Sequence, residues 1–405
     1  MANAILIGGS PAVAQVHSET PASVDTDGVY TIPLSNEAGQ SHTISFTAAN
    51  DVEADVVAGL YAEAVAAKTA GYAPWDEVTT SNETTYLKIT ADAAGTPFYV
   101  GTPGATTGTL TDAEVTANSG PTVYSLANNW LAGAIPVNTN DVILPAGMAN
   151  AVSYGLNQAS VLLASLTHEK GCNVGVGASN VGSNVYLQID ADNVYLHTGT
   201  ASCYYDIDNS TLVQVSGAGR GSLTTGVYGL NLKGTSNAAL TVLSTVDATS
   251  SISIAKGRGE SAAFTTISIA GGIVDLGNAV TMTTLIVKGG AVSTESSATT
   301  LTFAGGSVTL KAASAFTTVT VNEDLTLKYE SVGTIAALTL QPNAVLDCRG
   351  FTGAHTLTDC TRYPGSRIVD PNKTLTFTNA MQYPLGTVGC SDDLGEGRTL
   401  AVSDI

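Results

Sequence analysis

The sequence predicts a mainly β protein: a right-handed parallel β-solenoid (β-helix) with coils of 16–19 residues, preceded by a small α+β domain of order ββαββ. Three observations carry that prediction. The first is an internal repeat: TTISIAGGIVDLG from Thr265, TTLIVKGGAVST from Thr283, TTLTFAGGSVTLK from Thr299, TTVTVNEDLTLK from Thr317 and AALTLQPNAVLDC from Ala336. The second is alternation within each unit. Ile267, Leu285, Leu301, Val319 and Leu338 share one register, and Ile269, Val287, Phe303, Val321 and Leu340 share another two places later. Period-two apolar positions face one side of a strand, and a unit of this length has no core of its own until equivalent units stack on it. The third is the Gly-Gly pair at 271–272, 289–290 and 305–306, where the chain must turn sharply.

The N-terminal region follows a different pattern. Residues 1–27 are polar and without period, and are expected to form a loose arm. Residues 28–101 form the α+β domain, with VYTIPL and HTISF as paired strands. The helix 52–69 follows, with Asn50 or Asp51 as its cap, Glu53 and Asp55 in its first turn, and Val52, Val56, Leu60, Ala64 and Ala67 as its apolar stripe. Strands are expected at 77–80, 84–91 and 97–101. Residues 102–157 read as a linker or exchanged strand leading into the start of the solenoid, where Trp130 and Asp141 are the candidate cap residues. The solenoid proper is expected over 158–350, and a polar cap or tip, carrying Arg362, Arg367 and Lys373, over 351–405.

Composition excludes several classes. The 405 residues carry 44% hydrophobic and 12% charged side chains, which belongs to a folded β-rich chain and excludes bulk disorder. The net charge of −19 is concentrated early, with 15 acids against two bases in residues 1–157. That disfavours nucleic acid as a partner. The five cysteines (172, 203, 348, 360, 390) show no CxxC spacing and read as buried thiols, with Cys348 and Cys360 as the one pair to check for bonding. No apolar run is long enough to span a membrane. MANAILIGGSPAV has no basic region and only a four-residue apolar run, so the expectation is folding in a cytoplasm without export.

Around Asn129, Trp130, Gly133, Pro136 and Asp141-Val142-Ile143, followed by YGLNQASVLLASLT, the chain resembles a family of uncharacterised phage and prophage-like virion proteins with a C-terminal β-helix. HTISFTA, the Ala-rich helix and GTPFYVG at 95–101 also look like a module of phage structural proteins. The resemblance covers about 150 residues. It implies a virion component. A small docking domain ahead of a stiff solenoid with open ends leads to the expectation of a capsid decoration protein or head fibre, a homotrimer whose partners include the major capsid protein, located in the virion and assembled in the host cytoplasm. It carries over no catalytic residue. The alternatives are a tail fibre or tailspike that binds or cleaves a host polysaccharide, and a bacterial surface adhesin.

One constellation could carry chemistry. Asp190, Asp192 and Asn193 stand 16 residues before Asp206, Asp208 and Asn209, so a stack of carboxylates on adjacent turns is expected. Such a stack suits calcium as the one candidate cofactor, or a pair of glycosidase carboxyls, while the structural alternative is a row of coil corners, which accept Asp and Asn. Tyr186, Tyr195, Tyr204, Tyr205 and Tyr228 lie beside it and could contact a glycan or a partner, or fill the broader first coils. His168 and His197 are isolated, and SGAGRGS at 216–222 has the glycines of a phosphate loop without its strand-to-helix context. No GxSxG, HExxH or P-loop occurs.

Overall fold

The computed structural model describes residues 3–179, 184–221, 226–384, 391–393 and 402–404. The chain is mainly β, with one α-helix among the described residues and a parallel β-solenoid of about 12 turns. Most coils give one strand to each of two parallel stacks. The first stack runs through Asp141–Leu144, the second half of Asn157–His168, Leu212–Gly217, Ala262–Ile269, Phe316–Val321, Thr334–Leu340 and His355–Arg362. The second includes Cys203–Asp208, Ser251–Ile254, Ile273–Leu276, Thr326–Ser331, Val345–Asp347 and Arg367–Val369. Long strands such as Val280–Thr294 and Ala298–Ala312 bend through the Gly-Gly corner and serve both stacks.

The registers anticipated from the repeat are the registers observed. Ile267 pairs with Leu285, Leu285 with Leu301, Leu301 with Val319 and Val319 with Leu338. The second column, Ile269–Val287–Phe303–Val321–Leu340, is equally in step, and all ten side chains are buried. At the corners only the second glycine of each pair is left-handed: Gly272, Gly290 and Gly306 have φ of 73°, 76° and 81°. They also stack, so a Cβ on Gly306 would sit 2.2 Å from the Gly290 carbonyl oxygen.

The ends of the solenoid depart from expectation. Asn3–Ile5 is the outermost rung, parallel to Asp141–Leu144. Its free edge is met by residues 127–133, with the Leu131 N–H donating to the Ile5 carbonyl. Trp130 is buried in the same core, edge-on to Tyr124, and donates from Nε1 to the Tyr124 carbonyl at 2.9 Å. Asp141 opens the first rung and accepts from Ser165 Oγ at 2.6 Å. Coiling therefore begins before residue 158. It also continues past 350, because His355–Arg362, Arg367–Val369, Leu375–Phe377, Met381–Tyr383, Ser391–Asp393 and Val402–Asp404 all pair parallel to earlier coils. Arg362 is not on a polar tip. It lies in the interior column above Leu340, fully buried, with the Asp392 carboxylate at 2.8 Å.

The loose arm is also corrected. Val16–Ala22 is a strand between Leu87–Ala91 and Thr109–Thr116 in a four-stranded antiparallel sheet. Thr109–Thr116 thus belongs to the N-terminal domain and not to a linker. Val29–Asn36 and Ser41–Thr47 pair as expected, with Phe98–Val100 on the other side of the former, in a second sheet. The helix Glu53–Thr69 buries Val56, Val57, Leu60, Ala64 and Ala67. Val52 is exposed and is itself the cap position; Asn50 accepts from the Val52 N–H instead of capping the first turn. Cys172, Cys203 and Cys360 are buried thiols, Cys348 is buried in the same core, and Cys390 lies outside the described residues. Burial pushes the Cys203 and Cys360 thiols up to about 12, which makes them poor nucleophiles. No helix among the described residues is long and apolar enough to cross a membrane.

Two outcomes follow. Gly306→Ala meets both a left-handed backbone and a neighbouring carbonyl, and should cost about 1–3 kcal/mol in a denaturant melt. Gly39→Ala shares the positive φ but has nothing within 4 Å, so it should cost clearly less. Asp392→Ala strands a buried guanidinium and should cost about 3 kcal/mol or more in the same assay.

Candidate functional site

The early coils bring together a set of polar side chains on the solenoid flank. Tyr186 precedes the strand Leu187–His197, Tyr204 and Asp206 lie on Cys203–Asp208, and Lys233 lies on Leu230–Val242. Register places Asp206 beside Lys233, and their charged atoms meet at 3.1 Å. The Lys233 ammonium also sits 4.6 Å from the centre of the Tyr186 ring, and Tyr204 packs edge-on to that ring at 5.6 Å. The Tyr186 hydroxyl donates to Glu260 Oε1 at 2.5 Å, and Glu260 also accepts from the Asn184 amide and the Gly257 N–H. Burial raises the Asp206 carboxyl above its ordinary range, with the Lys233 charge opposing that rise. Burial and the Glu260 carboxylate hold the Tyr186 hydroxyl protonated, so it can donate but not act as a base.

The expected ladder does not form in the expected phase. Asp190 stands opposite Asp208, 18 residues on, and Asp206 stands opposite Gln188. Asp192 is exposed at the corner where the strand passes from one stack to the other. Asn209 is left-handed, with φ of 58°, and its amide donates to Asp190 at 2.9 Å. Asp208 accepts from the Thr235 backbone N–H and hydroxyl. Asp190, Asp206 and Asp208 each have a different neighbour, Asn209, Lys233 and Thr235, while Asp190 Oδ1 is buried without a partner and Asp192 is exposed. The four do not gather into one metal-spaced group, and the corner reading describes them better than a shared calcium site or a paired acid and base. Among the described residues, the metal-spaced group of acidic and imidazole side chains is His17, Glu19 and Asp112, in the other domain. Sequence reading missed it because the surrounding stretch was taken as an arm; the H-x-E alternation within a strand was its one signal.

The tyrosines divide by environment. Tyr205 is buried in the coil interior and fills the broad first coils, whereas Tyr186 and Tyr204 are buried on the flank against each other, Lys233 and Glu260. The Tyr205 hydroxyl lies 2.7 Å from His168 Nδ1, whose other nitrogen is 3.0 Å from the Cys172 carbonyl. A carbonyl only accepts, so His168 carries its proton on Nε2 and accepts from Tyr205. Burial lowers the His168 pKa and keeps it neutral. Tyr228 is half-buried and donates to Asp275, while Tyr195 is exposed.

Beside this cluster lies a cleft of about 620 Å³ between the N-terminal domain and the first coils. Tyr99, Gln158, Asn157, Asn184, Gln188 and Lys233 line it. Tyr99 is 45% exposed, and its hydroxyl donates to Glu37, whose other oxygen accepts from the Leu156 N–H and ties the two domains together. Amide side chains that both donate and accept, next to an exposed aromatic ring, can bind a polyhydroxylated ligand without catalysing anything.

Lys233→Met removes the cation that opposes burial of Asp206. The variant should lose about 1–3 kcal/mol at pH 7. Its folded Asp206 pKa then stands further above the unfolded value, so the deficit is lost on acidification and returns as pH rises through the folded pKa. Thermal melts of both proteins from pH 7.5 to 4.5 test this; a pH-independent deficit would rule it out. No protein-family model, curated protein or solved structure matches the chain.

Proposed function

We propose that the chain is a structural component of a phage-like particle, a capsid decoration protein or head fibre that acts by attachment and oligomeric packing. The observation that supports it most is a division of labour. A rod of about 12 stacked turns, taken as right-handed in keeping with parallel crossovers, joins a small α+β domain at its first rung. Beside that rung is an exposed apolar strip. Leu131, Ile135 and Val137 are 64%, 38% and 63% exposed, and Leu162, which hydrogen-bonds the loop at Thr139 and Asn138, is 45% exposed. Apolar surface concentrated at one end suits contact with a neighbouring copy or a shell protein. The partners in this reading are two further copies of the chain and the major capsid protein, and the location is the virion.

The amide-lined cleft favours a second reading, a tail fibre that holds a host glycan. Ligand binding there rests on Tyr99 and the amides; cleavage gains no support, because Asp190, Asp192, Asp206 and Asp208 do not line the cleft.

Light scattering on the purified chain should give about three times 41.0 kDa. The double variant Leu131→Asp, Val137→Asp should keep its melting transition but lose trimers and particle incorporation, with density for the wild type located on the capsid by cryo-electron microscopy. Density at a tail tip, with glycan retention abolished by Tyr99→Ala, would establish the second reading instead.

A further inference from the structure

The strand Val16–Ala22 has an unusual inward face. Alternation turns His17, Glu19 and Pro21 toward the domain interior, where apolar side chains are the rule. Register places Glu19 opposite Asp112 and His17 opposite Glu114 on the edge strand Thr109–Thr116. His17 Nδ1 lies 2.7 Å from Asp112 Oδ1, and one donor atom from each of His17, Glu19 and Asp112 falls within 4.8 Å of the others. Glu19 is 0% exposed, yet neither of its carboxylate oxygens has a hydrogen-bond partner. An unpartnered buried carboxylate is costly and calls for an explanation. Asp112 cannot supply one while ionised, since two carboxylates only accept. Whatever fills the gap must be positive: a proton or a metal cation.

We propose that His17, Glu19 and Asp112 bind a divalent transition-metal cation, with zinc the best match to one imidazole and two carboxylates. Two carboxylates and a neutral imidazole carry a charge of −2, which one such ion balances. Zinc takes these donors at about 2.0–2.2 Å, which sets tetrahedral donors about 3.3–3.6 Å apart, so the His17–Asp112 pair at 2.7 Å must open while the wider separations, up to 4.8 Å, close. Asp112 is a quarter exposed, which leaves a solvent-facing side for a water ligand and an access route. Glu114 completes the arrangement. In the metal-free chain the Gln15 amide donates to His17 Nε2 at 2.9 Å, so the ring proton sits on Nδ1. Ligation through Nδ1 moves that proton to Nε2, so the Gln15 amide that faces Nε2 must turn away before Glu114 Oε1, 4.0 Å off, can close in and accept it. A carboxylate behind a metal-bound histidine fixes its tautomer and orientation.

The test uses the full chain, dialysed against a chelator and titrated with zinc chloride by calorimetry. One zinc per chain is expected. Zinc should raise the melting temperature of the wild type. Glu19→Gln should bind at least about 100-fold more weakly while melting no lower than the metal-free wild type, because it removes a buried carboxylate that has no hydrogen-bond partner. Asp112→Asn, at the sheet edge, gives a second variant with the same expected loss of binding. Absence of saturable binding, or binding that survives both substitutions, overturns the proposal and leaves a proton shared between Glu19 and Asp112. Tighter binding of calcium than of zinc overturns the assignment of metal class.

Discussion

Every coil of this protein depends on the coil before it. A strand pair of 16–19 residues exposes as much apolar surface as it hides, and only in-register stacking removes that surface from water. The constraint is strict because side chains alternate: a slip of one residue would turn a whole rung inside out. Leu144, His168, Leu196, Val215, Val242, Ile269, Val287, Phe303, Val321, Leu340 and Arg362 form one such column from the first rung to the late coils. Its polar members stand near its two ends, each with fixed partners. His168 is held neutral between Tyr205 and Cys172, and Arg362 is charged against Asp392.

Where the repeat is regular, the sequence was sufficient to read the structure. The late coils share corner chemistry and vary by only a few residues in length, so periodicity alone aligned Ile267 through Leu338. The early coils were misphased because their corners hold different numbers of residues. Irregularities between Gln158 and Leu162, Leu196 and His197, and Gly234 and Asn237 each shift the register. The apparent 16-residue match of Asp190 with Asp206 was a coincidence of composition at corners, whereas the hydrogen-bonded match is Asp190 with Asp208. The coils beyond 350 escaped notice because Cys360 and Arg362 occupy interior positions that a hydrophobic pattern would assign to aliphatic residues.

The strand Val16–Ala22 escaped for a related reason with a different meaning. A binary pattern reads His17 and Glu19 as solvent-facing, and so reads no strand at all. Local rules fail most often where a buried polar group has a task. The same two residues that hid the strand are those offered as metal ligands. The candidate cleft was legible only in part: Tyr186 was picked out, but as a contact residue, while the exposed ring is Tyr99 on a strand from the other domain.

The pairing of Asn3–Ile5 with Asp141–Leu144 has a consequence for how the chain is made. Asn3–Ile5 leaves a ribosome well ahead of its partner, which emerges only after roughly 140 more residues, a delay of about ten to thirty seconds at common synthesis rates. In that interval the N-terminal domain can fold by itself, since Val16–Ala22 finds both of its neighbours within residues 87–116. The leading rung is thus placed last at its own end, as a latch that closes over an already ordered domain. A bulky fusion ahead of residue 3 would obstruct that latch, while one on the opposite end of the rod would leave it free to shut.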